Sequence, residues 1–227
     1  MVKRKSAPSS ARKPSAKKAT KAKGRRSATA ASSRPSKKPT TAEARVAALE
    51  KKLRLLKQEL AALRQSMAPQ PVSDYTLRAH DGSDVRLSEM FGAHDDLILV
   101  HNMGRGCSYC TMWADGFNGL TKHLENRAGF VVVSKDDVAV QREFYQNRGW
   151  VFKMYSSNGT SFNRDMGFET ADGKQQPGVS AFHRDAEGRI VRTGHTSFGP
   201  GDDFCAVWPM LDLLKDGPGG WGPKFSY

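Results

Sequence analysis

The chain has 227 residues, is 38% hydrophobic and carries a formal charge of +13 at neutral pH, which suits one packed domain with a basic appendage rather than two cores. Fourteen of its 36 Lys and Arg fall in residues 1–41, where there is no Asp or Glu, so the remaining 22 basic residues balance 23 acidic ones and the body is near neutral. Three cysteines are odd in number and too few for a disulfide framework, and no run of eighteen apolar residues argues for a membrane-spanning helix, so no membrane partner is expected.

Residues 1–41 include AKKATKAKGRRSATAASSRPSKKP, lack aromatic residues and nearly all large aliphatics, and cannot bury enough surface to offset the entropy of ordering. A disordered basic tail is expected. Its composition resembles that of linker-histone-like tails. Lys17, Lys18, Lys21, Lys23, Arg25 and Arg26 are candidate phosphate contacts for nonspecific, salt-dependent nucleic-acid binding. Without aromatic interleaving or a folded reading helix, base readout is not expected. A solvated arm that aids solubility, or an upstream extension from a wrongly chosen start codon, is the plainer alternative. The tail has no apolar stretch of secretory type, and it is mainly Lys, Ala, Ser and Pro rather than the amphipathic Arg-containing helix of a transit peptide, so a cytoplasmic location is expected.

Over residues 42–68 apolar side chains recur as Val46, Leu49, Leu53, Leu56, Leu60, Leu63 and Met67, in alternating steps of three and four that define a heptad seam. In a parallel pair Arg45 would face Glu50 and Glu59 would face Arg64, but Lys52 would meet Lys57. The charges therefore do not specify a parallel dimer. A single helix on or beside the following domain and a homodimer both stay open. Pro69 and Pro71 end the helix.

Residues 73–227 read as one domain. TLRAHDGSDVRL predicts a short hairpin around Asp81-Gly82, with a turn of helix over 88–91. LILVHNM, 97–103, is a buried strand that runs into the cysteines, followed by helix to about residue 124 and strand FVVVS, 130–134. Ser134, with Asp137 three residues later, predicts the start of a second helix carrying Val140, Phe144 and Tyr145. A third strand covers 151–155. After a loop rich in Gly, Asn and Asp come two strands in VSAFHRD and RIVRTGH, then a last helix in DDFCAVWPMLDLLKD with Pro209 as a kink or late start, and a covering aromatic tail, GGWGPKFSY. Two helical crossovers between parallel strands and an antiparallel edge hairpin predict an α/β, thioredoxin-like fold, a central mixed sheet flanked by helices.

Within GRGCSYCTMWADGF, Cys107 and Cys110 have C-x-x-C spacing at the start of the first of these helices. Steps of three and four place Cys110, Trp113, Phe117, Leu120 and Leu124 on one inward stripe. Cys107 sits at the helix mouth, where unpaired amides stabilise a thiolate, and Arg105 adds a positive charge nearby. Cys107 is thus the candidate nucleophile and Cys110 the resolving thiol. His101, six residues ahead of Cys107, is a candidate to move the Cys110 proton, against the plainer reading of a histidine hydrogen-bonded at a strand end. Tyr109 and Trp113 suit packing or a substrate rim. Zinc held by the two cysteines with His101, His183 or His195 is an alternative, but no second C-x-x-C or H-x-H cluster is present, and neither metal nor other cofactor is assigned. Two inert core thiols are a further alternative, and Cys205 reads as buried packing.

GCSYCTMWADGF, VVVSKDDVAVQREFYQNRGWVFKMYSSNGTSFNRDMGF, GVSAFHRD and FCAVWPMLDLLKDGPGGWGPKFSY together resemble a largely bacterial thioredoxin-like family of unknown function, predicted to be dithiol-disulfide oxidoreductases. The resemblance runs from roughly residue 43 to the C-terminus. It implies a thioredoxin fold, Cys107 and Cys110 as the redox pair, and a thiol or disulfide substrate, protein or small molecule. Thioredoxins carry a cis-proline before the strand that faces the cysteines; here QQPGVSAF puts Val179 and Ser180 there, as candidate rim residues, and Pro177 falls too early. Peroxiredoxins, a neighbouring branch of the fold, need Pro and Thr seven and three positions ahead of the peroxide-reacting cysteine. Those positions are Val100 and Gly104, which leaves thiol peroxidase activity as the second reading. A catalytically silent fold that acts through its basic tail is the third.

Overall fold

The computed structural model describes residues 41–227, so the tail and its six candidate phosphate contacts lie outside the described residues. The chain divides into two units, Met1–Leu49 and Glu50–Tyr227. Helix α1, Ala42–Ser66, has no buried residue. No helix among the described residues is long and apolar enough to cross a membrane.

Eight strands form one mixed sheet: β1 (Gln70–Val72), β2 (Thr76–Arg78), β3 (Asp84–Arg86), β4 (Asp96–His101), β5 (Gly129–Ser134), β6 (Lys153–Ser156), β7 (Gly178–Arg184) and β8 (Ile190–Ser197), in the order β1-β8-β7-β4-β5-β6-β2-β3. The parallel neighbours β4, β5 and β6 are joined by α2 (Ser108–Arg127) and α3 (Val138–Arg148), because parallel strands need a crossover and a helix is its compact form. On the other side of β4 the hairpin β7–β8 runs antiparallel. This is the thioredoxin-like arrangement, with the C-x-x-C helix leaving the carboxyl end of the central strand β4.

All six residues of β5 are buried, as expected of a strand covered on both faces. Side-chain alternation divides the interior into two cores. Leu97, Leu99, Val131 and Val133 share one with Phe162, Phe168 and Phe182. Val100, Phe130 and Val132 share the other with Cys110, Trp113 and Phe117 of α2. Which of these faces a residue occupies decides whether it can reach the cysteines.

Several elements differ from the expectations. Strand β4 stops at His101 rather than at residue 103, and β6 begins at Lys153 rather than 151. Ser134 ends β5 fully buried, and Asp137 is the cap of α3, its carboxylate accepting from the Ala139 amide at 3.0 Å. On α2 the inward residues after Phe117 include Thr121, whereas Leu120 is exposed, because at 3.6 residues per turn residue 120 lies about 80° from the azimuth of Cys110 and residue 121 only about 20°. The last predicted helix reduces to α5, Val207–Leu211, flanked by turns; Leu213 and Leu214 are exposed, so no apolar face holds a longer helix in place. The predicted hairpin around Asp81-Gly82 is the β2–β3 pair; its place beyond β6 in the sheet, strand β1 and the short helix α4 (Phe162–Asp165) had no distinct sequence signal. Pro71 is tolerated in β1 because β1 is an edge strand, pairing only with β8.

Candidate redox site

Strand β4 ends at His101, and the loop Asn102–Gly106 carries the chain to Cys107, which is the N-cap of α2. The loop is held by its own polar groups. The Gly104 amide donates to Asn102 Oδ1 (2.7 Å), Asn102 Nδ2 donates to the Cys110 carbonyl (3.3 Å), and the Arg105 amide donates to Asp136 Oδ2 (2.8 Å). Gly104 has φ +93°, and a Cβ there would stand 2.6 Å from both carboxylate oxygens of Asp136. Glycine is required at this position both for the backbone conformation and for the close approach of the carboxylate.

At the helix mouth the Cys110 amide donates to Cys107 Sγ at 3.1 Å. Cys107 is partly exposed and Cys110 is buried at 2% exposure; both are free thiols. The Cys110 thiol donates to Cys107, and with the Cys110 and Tyr109 amides this lowers the Cys107 pKa from an ordinary 9.0 to about 6 against the opposing effect of burial. These contributions favour the thiolate form of Cys107. Donating to Cys107, together with burial, pushes the Cys110 pKa far up, while the Met103 amide, 3.4 Å from its Sγ, counters weakly. The two sulfurs thus differ in both exposure and pKa.

Arg105 does not contribute as expected. The lowering of Cys107 comes from the Cys110 thiol and backbone amides, and it is the Arg105 main chain, through Asp136, that is fixed. His101 is also corrected. It is 1% exposed, stacks on Phe168 with ring centroids 3.8 Å apart, and pairs through Nε2 with Ser180 Oγ at 2.9 Å, leaving Nδ1 without a partner. Phe168, Phe162, Leu97 and Leu99 all belong to the core on the side of the sheet away from α2. Alternation along β4 turns Val100 toward the cysteines and His101 away from them, so the imidazole has no direct route to the Cys110 proton. Burial, with Arg192 and His195 nearby, drives its pKa well below the usual histidine range; it is neutral.

The rim residues divide the same way. Val179 packs with the cysteine-side core, whereas Ser180 is fully buried behind the sheet against His101. Tyr109 is partly exposed and stacks on Trp208 at 6.1 Å, and Trp221 meets Trp208 edge-on at 6.3 Å. The aromatic tail therefore covers the start of α2. Trp113 is core rather than rim, 3% exposed, with its indole N–H directed at Asp202 Oδ1 (3.4 Å). Cys205 is buried in the same core, and burial raises its pKa. Asn102 and Asp136, which position the loop, carry no signal in the sequence: Asp136 lies 31 residues from Arg105, with no local pattern linking them. Among the described residues, no three His, Cys, Asp or Glu converge where a metal ion could be held.

A family model described as "Bacterial protein of unknown function (DUF899)" matches residues 33–221. No curated protein matches the chain. Among solved structures, peroxidoxin BcpB from Mycobacterium tuberculosis is 22% identical over 57% of this chain and 84% of its own, with a TM-score of 0.47. A peroxiredoxin-like protein from Aquifex aeolicus is 17% identical over 59% and 77%, with a TM-score of 0.46. The mitochondrial 2-cys peroxiredoxin from Plasmodium falciparum is 15% identical over 59% and 83%, with a TM-score of 0.45.

Proposed function

This chain belongs to the bacterial family DUF899, and from the geometry of its cysteine pair we propose that it is a thiol-disulfide oxidoreductase, with Cys107 as nucleophile and Cys110 as resolving thiol. The observation that carries this reading is the asymmetry of the pair: a partly exposed sulfur capping α2 with its pKa lowered to about 6, and a buried thiol one turn inside that donates to it.

The Cys107 thiolate attacks one sulfur of a disulfide RS–SR′, forming a Cys107–SR bond and releasing R′S⁻. With Cys107 no longer an anion, the Cys110 thiol loses its acceptor and passes its proton to the departing thiolate. The Cys110 thiolate then attacks Cys107 Sγ, forming the Cys107–Cys110 disulfide and expelling RS⁻, which takes a proton from water. The substrate gains two electrons and leaves as two thiols, and the protein is oxidised by two. Burial of Cys110 keeps solvent thiols and peroxides from competing for it, and Tyr109 and Val179, partly buried against the same core as Cys107, are the rim residues in this reading.

The test is trapping on Cys110→Ser, which stops the cycle at the mixed disulfide. Defined proteins or low-molecular-weight thiols should be captured through Cys107, and capture should vanish in Cys107→Ser. Empty traps, together with a pair that does not oxidise reversibly against dithiothreitol or glutathione, would remove the proposal. Rapid peroxide consumption by the reduced protein without disulfide reduction would favour a thiol peroxidase instead; the absence of a hydroxyl at Gly104 supports disulfide exchange over that outcome.

A further inference from the structure

Helix α1 keeps its apolar stripe in water. Val46, Leu49, Leu53, Leu56, Leu60 and Leu63, with Met67 just past the helix, are 49–65% exposed, and none of them belongs to either core. Numbering the seam as a heptad puts Val46, Leu53 and Leu60 at a and Leu49, Leu56 and Leu63 at d, with Glu43, Glu50, Lys57 and Arg64 at e and Arg45, Lys52 and Glu59 at g. A parallel pair brings Lys52 against Lys57 of the other copy, twice by symmetry. An antiparallel pair has a different pattern, because there e faces e and g faces g.

We propose that α1 is the dimerisation element of this protein, two copies pairing antiparallel about an axis between Leu53 and Leu56. In that register Val46 packs on Leu63, Leu49 on Leu60 and Leu53 on Leu56, each layer occurring twice. The flanking charge pairs are then complementary: Glu43 faces Arg64, Glu50 faces Lys57, and Lys52 faces Glu59. Sliding one heptad in one direction sets Glu50 against Glu50 and Lys52 against Lys52; sliding the other way sets Lys57 against Lys57 and Glu59 against Glu59. The charges therefore select both orientation and register, which is how e and g positions specify a partner. The occupant is a second copy of this chain, since the pattern is complementary to its own reverse. Lys57 has a competing partner in its own chain, Asp203, at 2.5 Å. Both side chains are about half exposed or more, so this pair is weak and exchangeable.

The experiment is sedimentation of the full chain from roughly 1 to 100 µM, with variants that leave the rest of the protein folded because α1 contributes nothing to the core. The wild type should sediment as a reversible dimer and Leu53→Asp as a monomer. Lys57→Glu is the test of orientation: in the antiparallel pair it sets a second carboxylate against Glu50 and weakens the dimer roughly tenfold, but in a parallel one it relieves the Lys52–Lys57 clash and strengthens it. Glu50→Lys/Lys57→Glu should restore wild-type affinity. Asp203→Asn, which releases Lys57 from its own-chain partner, should leave the dimer unchanged or tighter. A wild type that stays monomeric, a dimer indifferent to Leu53→Asp, a tighter Lys57→Glu dimer, or a weaker Asp203→Asn dimer would each overturn the proposal.

Discussion

Replacing Cys110 by Ala removes the donor that contributes most to the low pKa of Cys107. At pH 7 a thiol with a pKa of about 6 is roughly nine-tenths thiolate, and one at its ordinary 9.0 is roughly one-hundredth thiolate. The two backbone amides, from Cys110 and Tyr109, survive the substitution and burial still opposes them, so the pKa should move up toward its ordinary value. A full return to that value would cut the thiolate fraction at pH 7 by about ninety-fold. Because a thiolate of lower pKa is intrinsically less nucleophilic, the midpoint of the pH profile is the clean readout, not the rate at one pH. Iodoacetamide labelling of the Cys107 peptide, followed by mass spectrometry across the pH range, supplies that midpoint and separates it from Cys205. In the wild type, labelling should be lost as the pH falls through about 6; in Cys110→Ala the midpoint should move upward. A wild-type midpoint near 9, or one that does not respond to the loss of Cys110, would refute the arrangement of donors on which the proposed chemistry rests.

Four further predictions concern the surroundings of the site. His101→Phe should leave the Cys107 labelling midpoint in place, since the imidazole faces the other core; a shift would restore it as a proton carrier. The same substitution should flatten the loss of stability in acid. A buried neutral histidine with a lowered pKa takes its proton only on unfolding, so the wild type loses about 1.4 kcal/mol per pH unit below its ordinary pKa that the variant keeps. Denaturant titrations from pH 7 to 5, with His101→Phe/Ser180→Ala as the control for the orphaned hydroxyl, measure the difference. Gly104→Ala should cost about 1–3 kcal/mol in thermal unfolding through its positive φ and the Asp136 contact, and adding Asp136→Ala should recover only the part due to the contact. Phe162→Ala should destabilise by about 3–5 kcal/mol, while Leu120→Ala, on the exposed side of α2, should stay within about 0.5 kcal/mol; comparable losses would contradict the assigned face of that helix.

The order of strands and helices from β4 to β8 could be read from hydrophobic periodicity, as could the placement of Cys107 before α2 with Cys110 turned inward. These depend on short-range rules: a buried strand is an apolar run, and a helix returns its side chains to one face every three or four residues. Boundaries were less legible where a polar residue offered two roles. Ser134 has the chemistry of a helix cap, but its position at the buried end of β5 uses it otherwise, and Asp137 takes the cap. DDFCAVWPMLDLLKD has apolar content that predicts a longer helix, but without a partner face only Val207–Leu211 is held as helix.

What the sequence by itself determined is the local chemistry: a thiolate-favouring helix mouth, a second thiol one turn within, and a heptad stripe in α1. What only the tertiary structure decided is which side of the sheet each neighbour occupies. In LILVH both faces of β4 are apolar and both are buried, so alternation separates the residues into two sets but does not say which set looks toward α2. Packing settles it, with Val100 beside the cysteines and His101 behind the sheet with Ser180. The Asp136 brace on the cysteine loop is of the same kind: it joins residues far apart along the chain, and such a pairing exists only once parallel strands have been brought side by side.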